Sequence, residues 1–413
     1  MYNRIMEIAV IGAGASGIFA ALAAAQNGNR VTLFDHNGEI GKKLLVTGSS
    51  RCNISNALVG AEQYTCADES WMRAFFHAYP PARLLELLTA LGIPTYSTAD
   101  GWFYPLSNSA QSVVEILRAN LLARGVELAL SMQVIDLRRA EDGFALRFPS
   151  GEPARERFFD RVVLAAGGKA YPVLGSRGEL FPVLERLGHS IVPLVPALGP
   201  LTLALGKFQA LQGLRFDVGT TVVQGKKKLG SSFGNVIFTA KGLNGPGVMN
   251  ISHLAARRVG EKLSLQLDFC AAFSAELSDE ALNRAKDASP LVFLNRFFPP
   301  KASRFFLEYA GLSSDEQNRQ LQIEAMRVVV SKLRAASLPI IGVRNFDESQ
   351  LSAGGVPVTE VRPETCESTL IPGLYLVGET LDVVGPCGGY NLHFAFTSGT
   401  LAGLHLAGMS GIL

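Results

Sequence analysis

The sequence predicts an α/β fold whose parallel sheet is assembled from two separated stretches of chain, and three observations carry that prediction. Residues 8–11 form an apolar run that ends in Gly12-Ala13-Gly14-Ala15-Ser16-Gly17 and passes directly into an alanine-rich segment, the pattern of a buried strand, a glycine turn and a helix. Residues 31–34 follow as a second apolar strand ending at Asp35. Near the other end of the chain, residues 374–377 repeat the strand-to-glycine pattern at Gly378, and residues 394–407 read as the helix that follows.

The first turn has the spacing G-x-G-x-x-G, and each glycine has a separate physical task. Gly12 permits the tight turn, Gly14 lets a pyrophosphate approach the backbone, and Gly17 lets helix and strand pack closely. The helix that opens at Ala15 and Ser16 offers free N–H groups and a partial positive charge to phosphates. Asp35 stands about 18 residues past Gly17, near the spacing expected of an acid that holds a ribose. Strand, helix, second strand and acid together predict a Rossmann-type dinucleotide-binding unit. A signal peptide is the competing reading of residues 1–28, but Gly12, Gly14, Ser16 and Gly17 interrupt the apolar run and a second strand follows at once. No other stretch reaches the length of a bilayer span.

Composition narrows the class. The chain has 413 residues, 48% hydrophobic and 18% charged, which predicts a globular protein of two or three domains. A formal net charge of +2 gives no strong nucleic-acid signature. The 5 cysteines (Cys52, Cys66, Cys270, Cys366, Cys387) are scattered and form no C-x-x-C, so a reducing, cytoplasmic setting is expected and a redox dithiol is not. The 6 histidines lie at no ligand spacing from cysteines or carboxylates, so no metal is expected.

Along the chain, helices fit residues 81–91 and 109–124, and strands fit residues 127–130, 144–148 and 161–165. Residues 191–270 change to short β-rich runs with Gly and Pro punctuation, such as 218–224 and 235–239. Residues 271–339 read as helical, most clearly at 279–286, 291–297 and 315–332. The expected organisation is a split nucleotide domain over 1–190 and 340–413, with a β-rich insert at 191–270 and a helical insert at 271–339.

Two later segments favour FAD over NAD as the resident dinucleotide. Residues 162–168 run as an apolar strand into Gly167-Gly168, where a chain can pass close to the cofactor. Residues 373–379 run into Gly378-Glu379, with Asp382 just beyond, and Gly388-Gly389-Tyr390-Asn391 opens the last helix. A long flavin dinucleotide needs such a second contact zone, and a helix start there would favour the anionic reduced ring by about 0.3–2 kcal/mol. The competing reading is a capped helix packed on the sheet.

At these residues the chain resembles a known family, the bacterial FAD-dependent flavoproteins of the BaiN/RdsA type. The resemblance covers most of the chain. It runs through Gly41-Lys42-Lys43-Leu44-Leu45-Val46-Thr47-Gly48-Ser49-Ser50-Arg51-Cys52-Asn53, Tyr104-Pro105-Leu106-Ser107, Gly167-Gly168 with Tyr171-Pro172, Phe238-Thr239, Gly354-Gly355-Val356 and Gly388-Gly389-Tyr390-Asn391. It implies a Rossmann-type FAD-binding domain carrying β-barrel-like and helical subdomains, with Lys43 and Arg51 among the cofactor contacts. It also implies reduction of a carbon–carbon double bond by reduced FAD. One branch of the family looks like ribosomal-RNA dihydrouridine synthases, and another is linked to steroid-like substrates. The chain departs from the family pattern at Ser49-Ser50, where glycines are common, at Ala240, at Cys366 and at Cys387.

The expected function is an FAD-dependent oxidoreductase that reduces an activated C=C bond with hydride from NAD(P)H. FAD would be bound non-covalently. With one fingerprint in the chain, NAD(P)H is expected as a transient donor, and the substrate as a small enone or a uridine in rRNA. A general acid must supply the second hydrogen as a proton. Cys52, Cys387 and Tyr390 are the candidates, Cys387 because a helix start would lower its pKa. Each has a structural alternative: buried thiols for the cysteines and packing on the flavin for Tyr390. His393 reads as a satisfied core histidine. Lys226-Lys227-Lys228 reads as a solvated hairpin tip, with RNA phosphate contact as the alternative and no interleaved aromatics to read bases. The rivals are a flavin oxidase or dehydrogenase, and a non-catalytic FAD-containing RNA- or ribosome-binding protein.

Overall fold

Five parallel strands build the central sheet, in the order Leu374–Leu376, Arg161–Leu164, Glu7–Ile11, Arg30–Phe34 and Glu127–Ala129. The computed structural model describes residues 5–149, 156–273, 277, 279–284, 289–312 and 323–409. The strand Glu7–Ile11 lies in the middle. Ile8, Ala9 and Val10 are wholly buried, as an apolar run covered on both faces of a parallel sheet requires.

The helix Ala15–Ala24 follows the first glycine turn, and all of its residues after Ala15 are buried. The last helix, Tyr390–Leu406, lies directly on it. Phe19 and Phe396 stack with ring centroids 4.4 Å apart. The approach is close because the last helix presents glycines: a Cβ on Gly403 would sit 2.5 Å from the Ala20 carbonyl oxygen, and one on Gly399 would collide with that of Ser16. Two helices without polar stripes therefore cover each other, which explains why neither reads as amphipathic.

The helix Ala110–Ala123 is capped by Ser109, whose Oγ accepts from the Ser112 N–H at 3.2 Å. The helix Pro81–Ala90 matches its expectation. The helix Glu69–Ala78 was not anticipated. Its signal is present in the sequence as the Asp68 cap and the buried row Trp71, Met72, Phe75 and Phe76. Two small antiparallel sheets complete this part, Asp136–Ala140/Gly143–Arg147/Glu156–Phe159 and Ser55–Asn56/Trp102–Pro105/Thr95–Ser97.

The chain divides into two compact units, Met1–Val195 with Gln350–Leu413, and Pro196–Ser349. The second unit is a closed six-stranded antiparallel barrel formed by Leu201–Leu203, Gly242–Asn244, Lys227–Thr239, Arg215–Gln224, Ser264–Asp268 and Ala336–Val343. Alternation builds it: Phe216, Val218, Thr220 and Val222 point inward between exposed Arg215 and Asp217. The helices Pro300–Ala310 and Ile323–Arg334 share its hydrophobic core through Phe305, Phe306, Met326 and Val330. The segments anticipated as two inserts thus form one folded body. The described part of the helix expected at 279–286 runs over Asp279–Arg284, its last two residues lying outside the described residues, and that expected at 291–297 is the shorter Pro290–Leu294. The start of the helix expected at 315–332 lies outside the described residues, and its described part runs to Arg334. Among the described residues no helix is long and apolar enough to cross a membrane, and no group of three or more His, Cys, Asp or Glu is placed to hold a metal ion.

Candidate functional site

The loops that leave the carboxyl ends of four neighbouring strands define the site, and in spatial order they begin at Gly378, Gly167, Gly12 and Asp35. In an open parallel sheet this edge is where ligands bind.

The three glycines of the first turn separate into two kinds. Gly12 has φ +107°, and a side chain there would collide with the Ala165 carbonyl. A Cβ on Gly17 would overlap the Gly12 oxygen. Both are required by the chain's own packing. Gly14 differs: it is the N-cap of the first helix, in extended conformation (φ −81°, ψ −169°), and a Cβ there would meet nothing within 4 Å. The helix has no side-chain cap and no acid in its first turn. An uncapped helix N-terminus beside free space at Gly14 fits a pyrophosphate, so the residues present suit FAD.

Asp35 is only partly available to a ribose. Its Oδ2 accepts the Ala13 N–H of the glycine turn at 2.7 Å, and its Oδ1 accepts the Asn37 N–H at 2.8 Å and Asn37 Nδ2 at 3.0 Å. It therefore shapes the glycine turn.

Gly41 N donates to Ala13 O at 2.7 Å, which brings the Gly41–Asn53 stretch against the first turn. From there Lys43 Nζ reaches Glu379 Oε2 at 2.7 Å. Glu379 Oε1 accepts from Ser352 N at 2.8 Å and Ser352 Oγ at 2.9 Å. Gly378 (φ +63°) lies against the first helix, since a Cβ on it would sit 2.5 Å from Ser16 Oγ, and its N–H is held by Ser398 Oγ at 3.0 Å. Gly167 (φ +75°) supplies the turn after its strand, while a Cβ on Gly168 would strike Ser352 Oγ and come within 2.8 Å of Glu379 Oε1. Chain packing thus already explains Gly168. Asp382, almost wholly buried, accepts the Gly354 N–H at 2.8 Å and so holds the end of the strand Leu351–Gly355.

The second glycine pair grips the chain rather than open space. Asn56 Nδ2 donates to Gly388 O at 3.1 Å, a Cβ on Gly388 would lie 3.1 Å from the Trp102 ring, and one on Gly389 would collide with Ser55 O. Gly389 (φ +97°) is the N-cap of the last helix, which has no side-chain cap and no acid in its first turn. Asn391 closes the turn before it, with Oδ1 accepting from Gly385 N at 2.8 Å and Nδ2 donating to Gly385 O at 2.9 Å. The uncapped helix end keeps its donors, as flavin contact requires, but the glycines themselves are explained by packing.

The three candidate acids occupy different environments. Cys52 is 0% exposed, with φ +63°, and burial pushes its thiol up to about 12 against the opposing hydrogen bond with Thr47. Cys387 is half-buried in the turn before the last helix. The expectation that a helix start lowers its pKa is corrected: desolvation raises the thiol to about 12, because Cys387 precedes the N-cap by two residues and the helix field falls off within the first turn. Tyr390 is 5% exposed, meets Tyr64 edge-on at 6.1 Å, and is raised by burial and by the charge of Glu62. Arg51 is exposed, 4.4 Å over the Tyr104 ring, with NH2 to the Tyr104 hydroxyl at 3.3 Å. Ser49 (φ +57°) and Ser50 (φ +64°) keep the left-handed backbone that glycines would adopt freely.

His393 is only half satisfied, a correction to its reading as a satisfied core residue. Its Nδ1 pairs with Ser55 Oγ at 2.8 Å, its Nε2 has no partner, and desolvation lowers its pKa to about 3. Ser352, Ser55 and Asn56 were missed as site residues. Short polar side chains beside apolar residues or glycines were their only signal.

Comparison with known proteins gives the family. The chain is 35% identical over 96% of its length, and 98% of the relative's, to a 3-dehydro-bile acid delta(4,6)-reductase of Clostridium scindens. It is 27% identical over 98% of its length, and 99% of the relative's, to a ribosomal RNA dihydrouridine synthase of Haemophilus influenzae. Among solved structures, a 3-ketosteroid-delta4-(5alpha)-dehydrogenase of Rhodococcus jostii RHA1 shares the fold, with TM-score 0.52 and 14% identity over 98% of each chain. The HI0933-like protein Rossmann domain matches residues 6–405, and the chain belongs to that family.

Proposed function

We propose that this FAD-dependent oxidoreductase reduces the activated double bond of a conjugated ketone, taking hydride from NAD(P)H. One observation carries the reading. Four adjacent parallel strands deliver Gly378, Gly167, Gly12 and Asp35 to a single sheet edge, where the uncapped N-terminus of the first helix also lies. A dinucleotide laid along that edge would meet the first helix with its pyrophosphate, Asp35 with its ribose, and Lys43, Glu379 and the start of the last helix beyond. FAD held there would supply hydride transfer between nicotinamide and substrate. The chain's own part is to bind, orient and protonate. Cys52 has no accessible surface. Cys387 keeps its proton at neutral pH and stands in the turn that leads into the last helix, so we assign it the proton delivered to the carbon that hydride does not reach. None of the five cysteines forms a disulfide, which suits a reducing, cytoplasmic setting.

The 3-dehydro-bile acid reductase is the more similar of the two relatives compared, and its substrate class sets the assay. Purified, FAD-loaded protein is expected to consume NADH or NADPH only when a conjugated steroid ketone is added. Rapid reaction of the reduced protein with oxygen, without ketone reduction, would reverse the assignment to an oxidase. A second reading, a uridine in RNA, is favoured by the barrel hairpin. Exposed Lys226, Lys227 and Lys228 stand at its tip, and Phe233 on the same hairpin is 58% exposed, an aromatic that the sequence reading did not count. Loss of dihydrouridine from the rRNA of a deletion strain would establish it.

A further inference from the structure

We infer that Ser352 is a positioning residue for the cofactor, acting through Glu379 on Lys43; the inference rests on the FAD reading above. Ser352 is 2% exposed and lies in the strand Leu351–Gly355. Its hydroxyl accepts the Lys169 N–H at 2.9 Å and donates to Glu379 Oε1 at 2.9 Å, and its own N–H donates to the same oxygen at 2.8 Å. Two donors on Oε1 leave the carboxylate one direction for its second oxygen, and Oε2 meets Lys43 Nζ at 2.7 Å.

Three segments are joined at this point. Lys43 is tied to the first glycine turn through Gly41, Glu379 follows the Gly378 turn that abuts Ser16, and Lys169 follows Gly167-Gly168. The absence of a side chain at Gly168 makes the junction possible, since a Cβ there would occupy the position of the Ser352 hydroxyl. Glu379 is an anion beside the place where an anionic pyrophosphate would lie. The ammonium of Lys43 offsets that charge only while Glu379 is held towards it. With Ser352 in place, the pair presents the remaining N–H donors of Lys43 to the cofactor. Without the hydroxyl, the Ser352 N–H alone holds Oε1 on that side, and the carboxylate is aimed less firmly at Lys43.

The test is a double-mutant cycle on FAD affinity, read by flavin fluorescence quenching on adding FAD to the apoprotein, so that no turnover is needed. Ser352→Ala is expected to weaken FAD about tenfold, the low end for a hydrogen bond to a charged group. Lys43→Met should weaken it at least as much. In the Lys43→Met background Ser352→Ala should then cost less than twofold, because the ammonium that Glu379 positions is gone. An equal cost of Ser352→Ala in both backgrounds would make its role merely structural and overturn the inference. So would unchanged affinity in Ser352→Ala, or Lys43→Met binding FAD like the parent protein. If Ser352→Ala melts too early to measure, Ser352→Cys, similar in shape and a weaker donor, carries the same cycle. A parent protein that takes up no FAD would instead overturn the function reading itself.

Discussion

Replacing Gly14 by valine separates cofactor binding from folding more sharply than any other substitution at the first turn. The backbone at Gly14 is extended (φ −81°, ψ −169°), a conformation that β-branched residues favour, and its Cβ would enter space with no atom within 4 Å. The structural cost is therefore confined to a poorer N-cap, about 1 kcal/mol, or a fall of about 2 °C in the melting temperature of the apoprotein. The same side chain fills the space required by a pyrophosphate. FAD at about one hundred times its Kd stabilises the parent protein by about 2.7 kcal/mol, roughly 5 °C, and should leave Gly14→Val unmoved. Gly17→Ala should behave in the opposite way. Its Cβ overlaps the Gly12 carbonyl oxygen and approaches Ala165 Cβ to 3.1 Å, so helix and strand must part at a cost of several kcal/mol with or without FAD. Thermal melts with and without FAD, together with flavin absorbance after desalting, read both effects. A Gly14→Val protein that retains stoichiometric FAD would refute the reasoning, as would a Gly17→Ala protein that melts like its parent.

Asp35→Ala should weaken FAD at least tenfold and also lower the apoprotein melting temperature, since it removes the acceptor of the Ala13 N–H at 2.7 Å; unchanged values for both would show that Asp35 neither holds ribose nor shapes the turn. His393 titrates near 3 in the folded protein against 6.5 when unfolded, so below pH 6.5 the unfolded chain binds the extra proton and stability falls as pH drops. At about 1.4 kcal/mol per pH unit this costs about 2 kcal/mol by pH 5, and melts at pH 7.5 and 5 should show a correspondingly smaller loss in His393→Gln; an equal loss in both proteins would assign the acid sensitivity elsewhere. Cys387→Ala should spare flavin reduction by NAD(P)H and slow ketone reduction by roughly 10²–10⁴-fold, whereas Cys52→Ala should leave turnover intact. Full turnover in Cys387→Ala, measured by stopped flow, would pass the proton to Tyr390.

Local pattern made the nucleotide half of the fold legible. Glu7–Ile11, the glycine turn and Ala15–Ala24 are contiguous, and a strand buried on both faces has to be an apolar run. The C-terminal strand and helix were legible for the same reason. The barrel was harder to read, because its closure pairs Leu201–Leu203 with Ala336–Val343, more than a hundred residues apart, and no local signal encodes that pairing. The helix Glu69–Ala78 was overlooked although its Asp68 cap and buried stripe are written in the sequence.

The sequence by itself determined that a dinucleotide turn exists and which residue types stand in it, because Gly12 and Gly17 answer to steric limits that operate over a few residues. Only the tertiary structure decided what each polar group does there. It tied Asp35 to Ala13 and Asn37, turned Gly388 and Gly389 to packing against Trp102 and Ser55, joined Lys43 to Glu379 and Ser352, and raised the Cys387 thiol instead of lowering it. Hydrogen bonding and desolvation depend on neighbours brought from far along the chain, and spacing along the sequence carries no record of them.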